Sequence, residues 1–278
     1  MSYIAGVIIT IIFFIVLNFF RGRSTVRFEK EKIIPILDRL YLNPKSIEKQ
    51  RQFIKVLGDL DKKLEKYQEF FSYTPGKLMT KKLIKHCSQK PKDILAHERF
   101  LEIIKRTKET SDFMLEEMLK YLAKNPEDEL AHKRFMRAAN KCEHLTSTDI
   151  FKELLKQDMI NYTPYSKKRL IVCAEKAYFL QHDLINPLID YLNKYPINVD
   201  SQNIFKKCIT NIMLLPESDR KRIYNTALEI LEDNPSNSSA KQFVLNIGRW
   251  HFGKSRQNGR LTFYDEQRIQ NDILARAE

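Results

Sequence analysis

From Pro35 to residue 248, apolar residues recur three and four positions apart, and no stretch alternates strictly between apolar and polar. That spacing predicts helices throughout and no strands. Helices are expected over 45–57 and 59–72, broken at Gly58-Asp59, with an additional one over 77–88. Beyond these, pairs are expected over 93–106 and 111–124, 128–141 and 148–159, 165–181 and 183–194, and 198–212 and 218–233, followed by a helix over 237–248. Side-chain oxygens of Ser111-Asp112 and Ser147-Thr148-Asp149 stand where they would cap free N–H groups of the helices that follow.

The pattern repeats. Pro91-Lys-Asp-Ile-Leu-Ala-His-Glu-Arg-Phe100 returns 35 residues later as Pro126-Glu-Asp-Glu-Leu-Ala-His-Lys-Arg-Phe135, with seven of ten positions the same. The frame recurs at Pro44, Pro164, Pro196 and Pro235. Nine residues after the six prolines stand Phe53, Phe100, Phe135, Cys173, Phe205 and Val244; four residues before them stand Leu40, Cys87, Leu122, Ile160, Leu192 and Leu231. Two apolar columns at a period in the range of roughly 20–50 residues are the mark of an array whose units bury their apolar faces against one another. Proline ends the preceding helix and is tolerated in the first turn of the next. The expected architecture is all-α, a solenoid of antiparallel helix pairs over residues 35–248.

A Gly-Asp pair at Gly58-Asp59, prolines at the unit ends Pro91, Pro126, Pro196 and Pro235, and small residues Ala96, Ala131 and Ala240 in first helices make the chain resemble tetratricopeptide-type repeats. The units after the first lack the family's glycine before the turn, and their spacing varies from 32 to 47 residues. The resemblance implies a scaffold that binds peptides or protein surfaces in a concave groove. It assigns no ligand-clamping residue.

Ahead of the repeats, Tyr3 to Phe20 is an 18-residue run without a charge, ended by Arg21-Gly22-Arg23. At about 1.5 Å per residue it spans ~27 Å, close to the thickness of a bilayer core. A single transmembrane helix is expected over residues 1–23 with its basic stop, then a juxtamembrane linker over 24–34. The segment lacks the basic start and small-residue cleavage site of a signal peptide. Arg21, Arg23, Arg27, Lys30 and Lys32 follow the run and none precedes it, which places the C-terminal part on the cytoplasmic side, or the matrix-like or stromal side of an organelle. The same five residues are candidates for contact with anionic headgroups.

The formal charge of +13 is unevenly spread: residues 21–89 carry 17 Lys and Arg against 8 Asp and Glu, whereas residues 90–248 carry 25 against 23. The balance in the central repeats leaves no basic stripe for a nucleic acid. Residues 249–278 differ again, with the chain's single tryptophan and the run from Gly248 to Tyr264 rich in Arg and aromatic residues. An irregular basic loop or a hairpin turned at Asn258-Gly259 is expected there, followed by a capping helix over Glu266–Ala277, started by Asp265 and packed through Ile269, Ile273 and Leu274.

Catalytic patterns are missing. Glycine is absent from residue 77 to 247, so no phosphate-cradling loop exists in that stretch. No metalloprotease, calcium-loop or nucleophile-elbow motif occurs. His97 and His132 occupy equivalent repeat positions, too far apart for one metal. Cys87, Cys142, Cys173 and Cys208 show no C-x-x-C spacing and read as small core residues of a reducing compartment. No cofactor, metal or catalytic residue is therefore assigned, and the expected function is a membrane-anchored scaffold for a protein partner, such as a membrane complex under assembly. Candidate partner contacts are Arg99, Arg134 and Arg137 in the repeats and Trp250, Phe252, Arg256 and Arg260 near the C-terminus, where Trp250 and Phe252 are alternatively a cover for the last repeat. A membrane-tethered RNA-binding repeat protein is the other reading, since aromatic side chains among arginines are what a single strand stacks on.

Overall fold

The computed structural model describes residues 25–65, 73–88, 93–161, 163–213, 215–254 and 261–277. The chain is all-α: among these residues there are thirteen α-helices and no strand, only isolated backbone bridges between turns. The helices are α1 (Ile34–Leu42), α2 (Ile47–Glu65), α3 (Lys77–Ser88), α4 (Ile94–Arg106), α5 (Asp112–Lys124), α6 (Glu129–Asn140), α7 (Thr148–Ile160), α8 (Pro164–Glu175), α9 (Ile185–Lys194), α10 (Val199–Thr210), α11 (Glu217–Asp233), α12 (Ser238–Lys254) and α13 (Phe263–Ala277). Among the described residues no helix is long and apolar enough to cross a membrane; the Tyr3–Phe20 run lies outside them.

Two compact units divide between Glu143 and His144. In the first, α1, α3 and α5 pack side by side in one row and α4 packs on α6 in another. Successive helices α1–α2, α3–α4 and α5–α6 pack across the rows. The second unit repeats the scheme, with α7, α9, α11 and α13 in one row and α8, α10 and α12 in the other. Each unit buries one apolar stripe per helix between its rows, and Phe53, Phe100, Phe135, Cys173, Phe205 and Val244 are all buried there.

The repeat frame has a physical basis in its third residue. Ser46, Asp93, Asp128, Asn198 and Asn237, each two residues after a frame proline, accept backbone N–H bonds from residues two or three further on. They are N-caps, each contributing on the order of 1 kcal/mol to its helix. The proline thus sits in the turn and the cap starts the helix. Pro164 is the exception: there Thr163 is the cap, in a reciprocal capping box with Ser166, and Pro164 is itself the first helical residue. The repeat phase slips by three at this point. Ile160, expected in the buried column, is therefore 65% exposed, while Gln157, three residues earlier, is buried.

Four further expectations are corrected. Gly58-Asp59 does not break a helix: α2 runs continuously to Glu65 and buries Phe53, Leu57 and Leu60 on one stripe that spans the glycine. A glycine inside a helix costs about 1 kcal/mol, less than this packing returns. The expected linker is helical, because residues 25–28 and a π-helical turn at Glu29–Ile33 lead straight into α1. Glu29 is buried in that turn, where its carboxylate accepts bonds from the Tyr73 hydroxyl (2.9 Å) and the Gly76 N–H (3.2 Å). It thereby caps α3 from 47 residues away, and a Cβ at position 76 would stand 2.9 Å from its Oε2. Burial raises the Glu29 pKa, against the opposing pull of these two donors.

The third correction concerns α8, which ends at Glu175 because the following residues bond to a neighbouring turn, Leu145 N–H to Lys176 O and Tyr178 N–H to Leu145 O. Thr148, expected to cap α7, instead accepts a bond from Gln181 N–H. The fourth is at the C-terminus: α12 continues past Gly248 to Lys254, carrying Trp250 and Phe252 on a helix rather than a loop. Asn258-Gly259 lies outside the described residues. The last helix begins at Phe263, with Thr262 and Asp265 bonded reciprocally at its start. Ile269 and Ile273 are buried against the array, whereas Leu274 is exposed.

Candidate functional site

Arg99 and Arg134 lie inside the first unit. Arg99 on α4 is buried, donating from Nη1 to His86 Nε2 (2.9 Å) and from Nη2 to the Pro44 carbonyl (2.7 Å). A guanidinium only donates, so His86 accepts at Nε2 and carries its proton on Nδ1. Burial, reinforced by the Arg99 charge and opposed by Asp93, lowers the His86 pKa to about 4, and the imidazole is neutral at physiological pH. Arg134 on α6 is 3% exposed and pairs through Nη2 with Asp128 (3.3 Å), whose carboxylate also takes the Tyr121 hydroxyl (2.9 Å) and caps α6. Arg134 also lines a cavity of about 10 Å³ with Cys87, Phe100, Met118 and Tyr121, room for a single water.

The sequence carried a signal for a third member of this set. Arg99, Arg134 and Arg169 are spaced by 35 residues, as are His97, His132 and Lys167. The phase slip at Pro164 hides the alignment. Arg169 on α8 is also buried, and desolvation lowers its pKa to about 10 despite nearby Cys173, Asp158 and Glu153, which leaves it cationic. Lys167 reaches Asn198 Oδ1 at 2.7 Å and Asp200 at 3.5 Å.

The histidine position has a structural duty. His132 Nε2–H donates to the Pro126 carbonyl (2.7 Å), as Gln50 does to Pro44 (3.3 Å) and Gln202 to Pro196 (2.8 Å). Six residues after the proline, a side-chain donor closes the turn on its own carbonyl. Among the described residues no group of three or more His, Cys, Asp or Glu side chains is placed to hold a metal ion. All four cysteines are buried; burial pushes the Cys87 and Cys208 thiols up to about 12, so neither forms a thiolate nucleophile near neutral pH.

The second unit also buries a carboxyl group at its centre. Asp158 on α7 is fully buried and accepts bonds from the Ser166 hydroxyl (2.6 Å) and the Tyr191 hydroxyl (2.8 Å). It ties α7, α8 and α9 together. Along the outer faces of α8 and α10 runs an open groove of about 540 Å³, with Ile171, Ala174 and Ile204 at its base and Glu175, Lys206 and Lys207 at its rim. An apolar base with charges of both signs at the rim suits an amphipathic segment of another protein rather than a polyanion.

Of the other candidate residues, Arg137 is exposed on α6. Trp250 and Phe252 are half-buried on α12, and Phe252 packs edge-on against Tyr224 and His251 with Arg268 over its ring at 5.1 Å. Gly248, one turn earlier, lets α13 approach: a Cβ there would stand 2.9 Å from Ile269 Cγ1 and 3.1 Å from the Tyr224 ring. Arg27 is exposed and paired with Glu31 at 2.6 Å, and Lys30 and Lys32 are exposed beside it. Arg21, Arg23, Arg256 and Arg260 lie outside the described residues. Comparison of the chain with family models, with curated proteins and with solved structures returned no match.

Proposed function

We propose that the chain is a membrane-anchored, tetratricopeptide-like helical-repeat scaffold. Its anchor is the Tyr3–Phe20 run, with Arg21, Arg23, Arg27, Lys30 and Lys32 at the cytoplasmic or equivalent surface, and its work is to hold a protein partner beside the membrane. The observation that carries this reading is the groove along α8 and α10, apolar at its base and charged with both signs at its rim. It is supported by the uncharged 18-residue run and by the engagement of Arg99 and Arg134 in the interior, which removes two cations from any strand-binding surface. Anchoring raises the effective concentration of the groove at the membrane, where partners under assembly reside.

Alkaline carbonate extraction of membranes tests the anchor: the full chain is expected in the pellet and a chain lacking residues 1–24 in the supernatant. Appearance of the full chain in the supernatant overturns the membrane reading. Affinity purification after gentle solubilisation, with and without nuclease, tests the scaffold, for which a nuclease-resistant protein partner is expected.

A further inference from the structure

The turns at one edge of the second unit are sewn together by backbone bonds: Leu145 N–H to Lys176 O (2.8 Å), Tyr178 N–H to Leu145 O (2.9 Å), Leu180 N–H to Asn211 O (2.9 Å) and Met213 N–H to Leu180 O (3.0 Å). This ladder sets Tyr178, Phe179 and Met213 on one edge, where all three are exposed. The start of α13 belongs to the same edge, because Arg249 pairs with Glu266 and Gly248 meets Ile269, which docks α13's first turns on the C-terminal half of α12. There Phe263 and Tyr264 are 78% and 79% exposed. Four of the five exposed Phe and Tyr side chains among the described residues therefore stand at this one edge.

The backbone is strained to put one of them there. Phe179 has φ +50°, the only positive φ of a non-glycine residue among those described, and it leaves the ring 53% exposed instead of in the core. A bulky side chain in the left-handed region persists only where its surroundings impose it, and such residues gather at contact sites. His144 stacks on Tyr178 with ring centroids 4.6 Å apart, and Tyr178 lies 3.9 Å from Phe179, so the three rings form one cluster at the edge.

We propose that this edge of the second unit, Tyr178, Phe179, Met213, Phe263 and Tyr264, seats at the headgroup level of a phospholipid bilayer. The proposal rests on the membrane anchorage put forward above: the chain ahead of residue 25 carries an uncharged run long enough to cross a bilayer and ends it with arginines, so the surface to which the chain would be tethered is a bilayer. Tyrosine, with an apolar body and a polar tip, concentrates at that depth, phenylalanine belongs to the apolar face that inserts there, and methionine adapts to irregular apolar surroundings. The contact is apolar insertion by these five side chains.

The test uses the full chain reconstituted into phosphatidylcholine vesicles, in a Trp250→Phe background that leaves a single introduced reporter. Phe179→Trp and, as a second reporter, Tyr264→Trp are compared with Ile197→Trp, an exposed position in the turn before α10 at the opposite edge. Emission from positions 179 and 264 is expected to be blue-shifted and quenched several-fold more strongly by brominated acyl chains than emission from position 197. Equal access of aqueous acrylamide to all three positions overturns the proposal. So does shielding seen in native membranes but not in pure lipid vesicles, which assigns the edge to a protein partner. Carbonate extraction of the same vesicles separates the two readings: a chain that stays in the pellet with position 179 in water sinks the edge alone. A chain that is stripped sinks the anchor, and quenching after its addition to preformed vesicles then decides the edge.

Discussion

Both units keep repeat-equivalent arginines inside, Arg99 and Arg134 in the first and Arg169 in the second, but only the second is described with an open groove outside. In the first, Arg99 and Arg134 are held by a carbonyl, a neutral histidine and Asp128; in the second, Asp158 is held by two hydroxyls and the outer faces of α8 and α10 stay open. Both units reach a buried carboxylate from other helices: Tyr121 on α5 bonds Asp128, and Ser166 on α8 and Tyr191 on α9 bond Asp158. They differ in what remains for solvent: beside its buried Arg169, the second unit has an outer surface with an apolar base. All three repeat-equivalent arginines lie inside and none lines the groove, so a count of basic residues does not locate it.

The largest effect is expected at Arg134. Its removal in Arg134→Ala leaves the Asp128 carboxylate buried with one partner fewer, and breaking a buried pair of this kind costs about 3–5 kcal/mol. Chemical denaturation monitored by helix signal should show the first unit melting early. Asp158→Ala tests the other side of the comparison, with an expected loss of about 2–3 kcal/mol as the Ser166 and Tyr191 hydroxyls lose their acceptor. A mutation that lowers both units equally would show that the division between Glu143 and His144 is not a thermodynamic one.

Two glycines give a smaller contrast of opposite sign. Gly248→Ala drives a methyl into Ile269 and Tyr224 and should cost about 1–3 kcal/mol, as overpacking does. Gly58→Ala meets nothing within 4 Å inside a continuous helix and should stabilise by about 0.5–1 kcal/mol. Melting temperatures of the two variants moving in the same direction would contradict the packing described for α2 or for α13.

The most graded effect is with pH. The folded pKa of His86, about 4, lies below the usual value near 6.5, so the unfolded chain takes the proton first as pH falls. Stability from the neutral imidazole is present above about pH 6.5 and is lost progressively between there and about 4. His86→Phe should flatten the pH dependence of the denaturation midpoint over that interval; an unchanged slope would place the proton elsewhere.

Much of this fold is legible in the sequence. The columns of Phe53, Phe100, Phe135, Phe205 and Val244, together with the recurring prolines, locate helices to within a few residues. What escapes is whatever depends on a partner distant in the chain. Arg99 is buried where Pro44 offers a carbonyl from 55 residues away, and Glu29 is buried where the Tyr73 hydroxyl and the Gly76 N–H offer donors from 44 and 47 residues away. The slip at Pro164 escapes because a proline in the first helical turn and a proline in the preceding turn look alike until the cap is known. Gly58 misleads in the opposite way, since its local preference is overridden by the Phe53–Leu57–Leu60 stripe. The groove is not visible in residue types at all: Ile171, Ala174 and Ile204 read as ordinary core positions.

The most direct measurement is co-purification of the full chain from gently solubilised, nuclease-treated membranes, compared with a variant carrying Asn203→Arg and Lys207→Glu, both exposed at the groove. The expected result is a protein retained in comparable amount by the wild type and lost by the variant, with the melting temperature unchanged. Capture of the same proteins by both, or partners that vanish with nuclease, would contradict a scaffold that works through this groove.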